Sequence, residues 1–260
     1  MDKKYQMFIE KVKAKTGIDL SLYKEGQMKR RILSFMTQRG FSDLLDFFYA
    51  MDQDQKLFES FLDRITINVT SFYRNQYRWE VLEKKIFPLL LEKTKNLKIW
   101  SAACSSGEEP FTIAMVLSKY LPLSQIRILA TDIDENSIKK AKLGLYNERA
   151  IEEVPPNVKL QYFTQSNGLF KLDEEIKKTV TFKKHNLLSD SYPSQLDLIV
   201  CRNVLIYFTD EAKNEIYKNF NKALKIGGIL FVGSTEQIFF PETYGFEVAD
   251  TFFYRKIKDL

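Results

Sequence analysis

The chain is poor in the residues from which many catalytic centres are built. It has one histidine, His185, and two cysteines, Cys104 and Cys201, in 260 residues. One histidine and two cysteines far apart in sequence argue against a zinc site. Two cysteines in a Lys- and Glu-rich chain point to a reducing cytosol without a disulfide framework. No nucleophile-elbow motif supports a Ser-His-Asp centre. No G-x-G-x-x-G supports a dinucleotide site. The longest apolar run, near Ile86 to Leu91, is interrupted by Pro88 and is far too short to span a bilayer. The first residues, Met1-Asp2-Lys3-Lys4-Tyr5, lack the apolar core of a signal peptide. The charge excess is small: 39 Lys+Arg against 34 Asp+Glu, a net +5, too weak by itself to imply nucleic acid. A soluble cytoplasmic protein without metal is expected.

What is present centres on Leu97 to Met115. An apolar strand, Leu97 to Ala102, turns through Ala103, Cys104, Ser105, Ser106 and Gly107 into a helix with Pro110 in its first turn. Strand, tight small-residue turn and helix N-terminus are what a doubly wound α/β sheet uses to hold a nucleotide-like ligand. Here Glu108 and Glu109 stand where a phosphate would need bare N–H groups. They would repel a pyrophosphate and suit an ammonium, a sulfonium or hydroxyl donors. From Leu97 onward strands and helices alternate, the signature of a parallel sheet. Ile126 to Thr131 is a strand ending in Asp132-Ile133-Asp134. At that tip Asp132 is placed to accept from ribose hydroxyls, while Asp134 fits an N-cap. Val180 to Lys183 and Leu196 to Cys201 are further strands with polar tips, Asn186, Arg202 and Asn203, able to line an adenine and a reacting sulfur. Asp210 caps a helix through Leu224, and Gly227-Gly228 turns into a strand from Ile229 to Gly233. Phe246 to Ala249 and Thr251 to Lys256 read as an antiparallel pair. Residues 145–180 break the rhythm, with a hairpin expected around Gln165 to Gly168.

Before the sheet, residues 1–65 read as helix after helix. Apolar positions Phe8 and Val12 precede a Gly17 stop. Met28, Ile32, Phe35 and Met36 stripe a second helix that begins near Ser21 or Leu22 and ends at Gly40. Asp43 to Ala50 and Asp54 to Ile65 form two more. Lys24, Lys29, Arg30, Arg31 and Arg39 gather on the second helix against the single Glu25, whereas the following helices are acidic. On the residues alone this is either a solvated face or a dock for an acidic partner, such as another helix. Residues 66–76 form a dense linker in which Asn68, Thr70 and Arg74 alternate with Ile67, Val69, Phe72 and Tyr73. A linker of this density is expected to fold against something. Tyr77 to Lys93 returns to helix.

The segments I-T-I-N-V-T-S-F-Y-R-N, W-S-A-A-C-S-S-G-E-E-P-F-T-I-A-M, A-T-D-I-D, N-L-L, V-C-R-N-V-L-I-Y-F and G-S-T-E occur in order along nearly the whole chain. Together they closely resemble the CheR family, chemotaxis-receptor methyltransferases that use S-adenosylmethionine. One departure is Phe111, where tyrosine is common in the family. The resemblance implies an α/β fold: a doubly wound, mainly parallel seven-stranded methyltransferase sheet at 77–260. A small β-subdomain would be inserted at about 145–180, and an all-helical domain at 1–65 would precede the linker. It implies transfer of a methyl group from S-adenosylmethionine to glutamate carboxylates on chemoreceptor cytoplasmic helices, with S-adenosylhomocysteine as product.

Carried over by motif, Asn68, Thr70 and Arg74 would contact the cofactor from the linker. Of Glu108 and Glu109, between which the sequence does not choose, Glu108 is the favoured contact for its methionine end; Asp132 would bind its ribose, and Asn186 and Leu187 would surround its adenine. Cys201, Arg202 and Asn203 would close the site, with Arg74 and Tyr207 orienting the substrate carboxylate. Glutamate-rich receptor helices give Lys24, Arg30 and Arg31 a docking role. The implied protein is a cytoplasmic monomer recruited to chemoreceptor arrays, with no nucleic-acid partner and no membrane insertion. Two rivals are a nucleic-acid methyltransferase and a non-catalytic S-adenosylmethionine sensor. The acidic flanking helices and the C-R-N-V strand tip argue against the first. The presence of both Arg74 and Tyr207 argues against the second.

Overall fold

A computed structural model describes residues 3–66 and 68–260. Met1, Asp2 and Ile67, which entered the reading of the N-terminus and the linker, lie outside the described residues. The chain divides into two compact units: residues 1–68 with 204–216, and residues 69–203 with 217–260.

The first unit is helical. α1 (Lys3–Thr16), α2 (Glu25–Gln38), α3 (Leu44–Gln53) and α4 (Gln55–Ile65) carry most of it. Asp43 and Asp54 N-cap α3 and α4 by accepting two backbone N–H groups each, worth about 1 kcal/mol per cap. Phe8, Phe47 and Phe61 are fully buried, with ring centroids 5.9–6.2 Å apart. The second helix starts later than the sequence reading placed it. Asp19 accepts from the Ser21 N–H, which closes a 3₁₀ turn over Leu20–Leu22, and Tyr23 then pairs in an antiparallel bridge with Phe208. That extended detour delays α2 to Glu25.

In the second unit, Tyr77 to Lys93 is helical but interrupted. α5 (Gln76–Val81) passes through a π-helical stretch, Leu82–Ile86, into α6 (Phe87–Leu91). Pro88 has no N–H and its ring crowds the carbonyl four residues back, so a local change of register accommodates it. β1 (Ile99–Ala102), α7 (Glu108–Leu117), β2 (Ile128–Asp132) and α8 (Glu135–Leu143) follow. A small antiparallel sheet, order β3-β5-β4, is formed by β3 (Leu145–Tyr146), β4 (Phe163–Ser166) and β5 (Leu169–Leu172). α9 (Pro156–Tyr162) precedes β4 and α10 (Glu174–Lys178) follows β5. The β4–β5 loop is Asn167-Gly168, both residues at positive φ, as a tight hairpin turn requires.

β6 (Val180–Lys184), β7 (Leu196–Cys201), α11 (Asp210–Ala223), β8 (Leu224–Val232), β9 (Phe246–Asp250) and β10 (Phe253–Lys256) complete the chain. Among the described residues seven strands form one sheet in the order β6-β2-β1-β7-β8-β10-β9, parallel except for the pairings of β10 with β8 and β9. β8 begins five residues before the predicted Ile229. Gly227 (φ +81°) lies in the irregular stretch between the Leu196–Leu224 and Leu198–Ile229 pairings. β1 and β7 are buried along their whole length, as central parallel strands are. The strand order reverses between β1 and β7, which puts the fold's ligand crevice at their carboxyl ends.

Candidate S-adenosylmethionine site

The turn between β1 and α7 is built from conformations that side chains avoid. Ala103 (φ 62°), Ser105 (φ 48°) and Gly107 (φ 93°) are left-handed, as are Tyr73, Asn75 and Asn203 around the same strand tips. Each such non-glycine residue costs of order 1–2 kcal/mol and persists only where its surroundings enforce it. Asp132 does part of the enforcing. Its carboxylate, at the end of β2, accepts the Ser105 N–H at 2.7 Å and the Asp134 N–H at 2.9 Å. Asp134 caps α8 through the Asn136 N–H and the Ser137 hydroxyl. Asp132 therefore shapes the loop; a carboxylate can accept about four bonds.

The two glutamates separate in role. Glu109 accepts from Ser101 Oγ at 2.8 Å and lies 3.8 Å from the Arg202 guanidinium, so its charge is met within the protein. Arg202 is 7% exposed, packs against the rings of both Trp79 and Phe231, and donates to the Arg74 carbonyl and Asn75 Oδ1. This Ser101–Glu109–Arg202 chain spans the β1/β7 crevice and ties the linker to it. Glu108, 4% exposed, accepts a hydrogen bond from the Ser106 hydroxyl at 2.8 Å. Burial pushes Glu108 and Glu109 up to about 7 and Asp132 up to about 6.

The remaining expected site residues fall as follows. In the second unit, Arg74 is half-buried and donates to the Val69 carbonyl at 2.7 Å, curling the linker on itself. Thr70 is half-buried nearby in sequence. Asn186 uses its side-chain oxygen for the Leu188 N–H just past β6, and Leu187 is buried. Cys201 is fully buried; burial and nearby carboxylates push its thiol, and that of Cys104, well above the usual range. Both cysteines pack rather than react. His185 packs its ring against Trp100 and Tyr192.

The other expected residues belong to the first unit. Asn68 donates to Thr66 Oγ1. Lys24 and Arg30 are exposed at the start and outer face of α2, where Gly26, Lys29, Arg30, Leu33, Ser34 and Thr37 line an open groove of about 650 Å³. Arg31 is half-buried, with its guanidinium 5.5 Å over the Tyr207 ring.

Sequence reasoning gave no role to Glu236. Its carboxylate accepts the Asn203 N–H at 2.6 Å and the Gly233 N–H at 2.8 Å, clamping the tips of β7 and β8 together. The G-S-T-E segment was the available signal, but a carboxylate bound to backbone has no spacing rule that reveals it.

The donor set fits S-adenosylmethionine. Two buried carboxylates, Glu108 and Asp132, are raised by desolvation, and a ligand bringing an ammonium and ribose hydroxyls would relieve that cost. Arg202 Nε is buried without a partner among the described residues. No cluster suited to a metal ion occurs among the described residues, and no helix there is long and apolar enough to cross a membrane.

Comparison with known proteins supports S-adenosylmethionine as the cofactor. Residues 3–66 match the family described as "CheR methyltransferase, all-alpha domain", and residues 68–253 match "CheR methyltransferase, SAM binding domain". The chain is 43% identical over 257 residues to proteins named "Chemotaxis protein methyltransferase" from Listeria monocytogenes and Listeria innocua, covering 98% of each chain. It is 37% identical over 237 residues to one of the same name from Borreliella burgdorferi, covering 85% of this chain and 83% of that protein. The chain belongs to the CheR methyltransferase family, with an S-adenosylmethionine-binding domain following an all-α domain.

Proposed function

We propose that this protein methylates glutamate side chains on the cytoplasmic helices of chemoreceptors, forming glutamyl methyl esters and S-adenosylhomocysteine. The observation that carries this reading is the match of both domains, over 98% of the chain, to chemotaxis protein methyltransferases. In this reading residues 1–65 dock the receptor, 66–76 link, and 77–260 bind the cofactor and catalyse transfer.

When bound, S-adenosylmethionine would supply an electrophilic methyl group on a sulfonium, which would leave as the neutral thioether of S-adenosylhomocysteine once the methyl passed to the glutamate carboxylate. The incoming glutamate is ionised at neutral pH, because its ordinary pKa is about 4.3. No general base is required, which agrees with a lone histidine packed edge-on against Trp100 and Tyr192. The protein's work is to align one carboxylate oxygen behind the methyl carbon and strip its water. Glu108 and Asp132 hold the amino-acid and ribose ends, and Asn68, Thr70, Asn186, Leu187, Cys201, Arg202 and Asn203 line the remainder. Arg74 and Tyr207 orient the substrate carboxylate. One Arg74 N–H is spent on the Val69 carbonyl and others are left for an anion. Too tight an arginine–carboxylate pair would stabilise the ground state, since charge is neutralised along the reaction.

Lys24 and Arg30 supply the electrostatic dock for glutamate-rich helices. Arg30→Glu is expected to raise the KM for receptor about tenfold and to flatten its salt dependence, because a rim charge acts mainly through encounter. Insensitivity of receptor methylation to that change would leave α2 a solvated face. The reading as a whole is tested with radiolabelled methyl donor on receptor cytoplasmic fragments and on RNA. Base-labile label on the receptor fragment is expected. Label on RNA would favour a nucleic-acid methyltransferase, and binding without transfer to either would favour a sensor.

A further inference from the structure

Tyr207 is held by α2 and the turn before it. Its carbonyl accepts the Lys24 N–H at 2.8 Å, and the Thr209 N–H donates to the Leu22 carbonyl at 2.9 Å. Between them Tyr23 and Phe208 form an antiparallel bridge, their rings 4.9 Å apart and edge-on. Two short extended segments, 22–24 and 207–209, thus clip the turn carrying Tyr207 to the beginning of α2. Two helical turns further along, Arg31 places its guanidinium 5.5 Å over the Tyr207 ring. Its Nη1 lies 3.5 Å from the Ile65 carbonyl at the end of α4, so the guanidinium is directed from both sides. Arg31 is half-buried, unlike exposed Arg30 beside it.

We infer that Arg31 is a positioning residue for Tyr207, not a receptor-docking contact. The inference rests on the reading of Tyr207 as a residue that orients the substrate carboxylate. The clip fixes the backbone of Tyr207, but a clip leaves the side chain free to rotate. A planar cation over the ring face removes that freedom, because the negative face of the ring attracts it. α2 therefore performs two tasks with adjacent residues: Arg30 faces outward to a partner, and Arg31 faces inward to Tyr207.

The test is steady-state methylation of a receptor cytoplasmic fragment by the full-length chain. Arg31→Met keeps a stem over the ring and removes the charge. It is expected to lower kcat about tenfold with the receptor KM within about twofold of wild type. Arg31→Lys keeps a cation that can sit over the ring, and it is expected to recover part of kcat. In a Tyr207→Ala background, Arg31→Met is expected to cost nothing further, because the group it acts through is gone. Circular dichroism and unfolding midpoints confirm that each variant is folded, and Arg31→Lys serves should Arg31→Met fail to fold.

A raised receptor KM with unchanged kcat in Arg31→Met would return Arg31 to the docking face. An equal loss of kcat in the Tyr207→Ala background would show that it does not act through Tyr207. If Tyr207→Ala itself leaves kcat intact, the role of Tyr207 fails first, a result distinct from failure of the Arg31 assignment alone.

Discussion

Glu108 sets the ionisation of the cofactor site against the stability of the fold. Burial raises its pKa from 4.5 to about 7, so between those values the folded chain holds a proton that the unfolded chain has released. The folded state then binds more protons, and the stability gained from that proton falls as pH rises through the window. Above pH 7 the ionised carboxylate costs its full desolvation. Glu108→Gln is therefore expected to stabilise the ligand-free protein by about 1–3 kcal/mol at pH 8 and much less at pH 4.5. Urea midpoints at the two pH values measure this. In the proposed function the same carboxylate holds the ligand's ammonium, and for that it must ionise. Affinity for S-adenosylhomocysteine should accordingly weaken below about pH 7, with proton release visible as a buffer-dependent binding enthalpy. A midpoint difference independent of pH would sink this account of Glu108. Glu109, raised to a similar value, is unlike it, because Arg202 stands opposite in the fold. Removing Arg202 would leave a buried carboxylate uncompensated, which typically costs about 3–5 kcal/mol.

The β1–α7 turn concentrates the element-scale demands of the fold. Gly107 sits at φ +93°, and a Cβ there would meet the Ala141 Cβ and the Phe111 ring, each at 2.9 Å. Neither neighbour is a flexible tip, so Gly107→Ala combines backbone strain with overpacking. A cost of about 2–4 kcal/mol is expected, with loss of cofactor binding exceeding what the stability change explains. Wild-type stability in Gly107→Ala, read by chemical denaturation, would contradict the geometry.

This turn was also the most legible feature of the sequence. Small residues between an apolar strand and a proline-started helix have few other uses. The Asp134 cap was legible for the same reason: a side chain bonding its own neighbours leaves a local signature. Asp210, expected as a cap, is instead the first residue of α11, and Thr209 Oγ1 before it accepts the Ala212 N–H. What escaped depends on partners distant in sequence. The late start of α2 comes from pairing with Phe208, and the inward turn of Arg31 comes from Tyr207. The Glu236 clamp reaches the Asn203 N–H, 33 positions away in the chain. Helical periodicity placed Arg31 on a polar stripe but could not say that an aromatic ring would cover it.

At the scale of the whole molecule, the sheet order and the charge of the α7 N-terminus together decide which nucleoside the crevice accepts. The order reversal at β1/β7 alone would serve a dinucleotide equally well, since the crevice is a property of the topology. Discrimination is added by side chains. Glu108 occupies the helix start where a pyrophosphate would seek N–H groups, and Asp132 already draws the Ser105 N–H to itself. A ligand with an ammonium and ribose hydroxyls gains from both carboxylates, whereas one with phosphates loses at both. S-adenosylhomocysteine at about one hundred times its Kd should stabilise the protein by about 2.7 kcal/mol. For a chain of this length that is a rise in Tm of roughly 5–10 °C. NAD at the same concentration should leave Tm unchanged, and Asp132→Ala should abolish most of the S-adenosylhomocysteine shift. Thermal unfolding of the full chain with each ligand measures all three. An equal shift by NAD would mean that topology, not the carboxylates, selects the ligand.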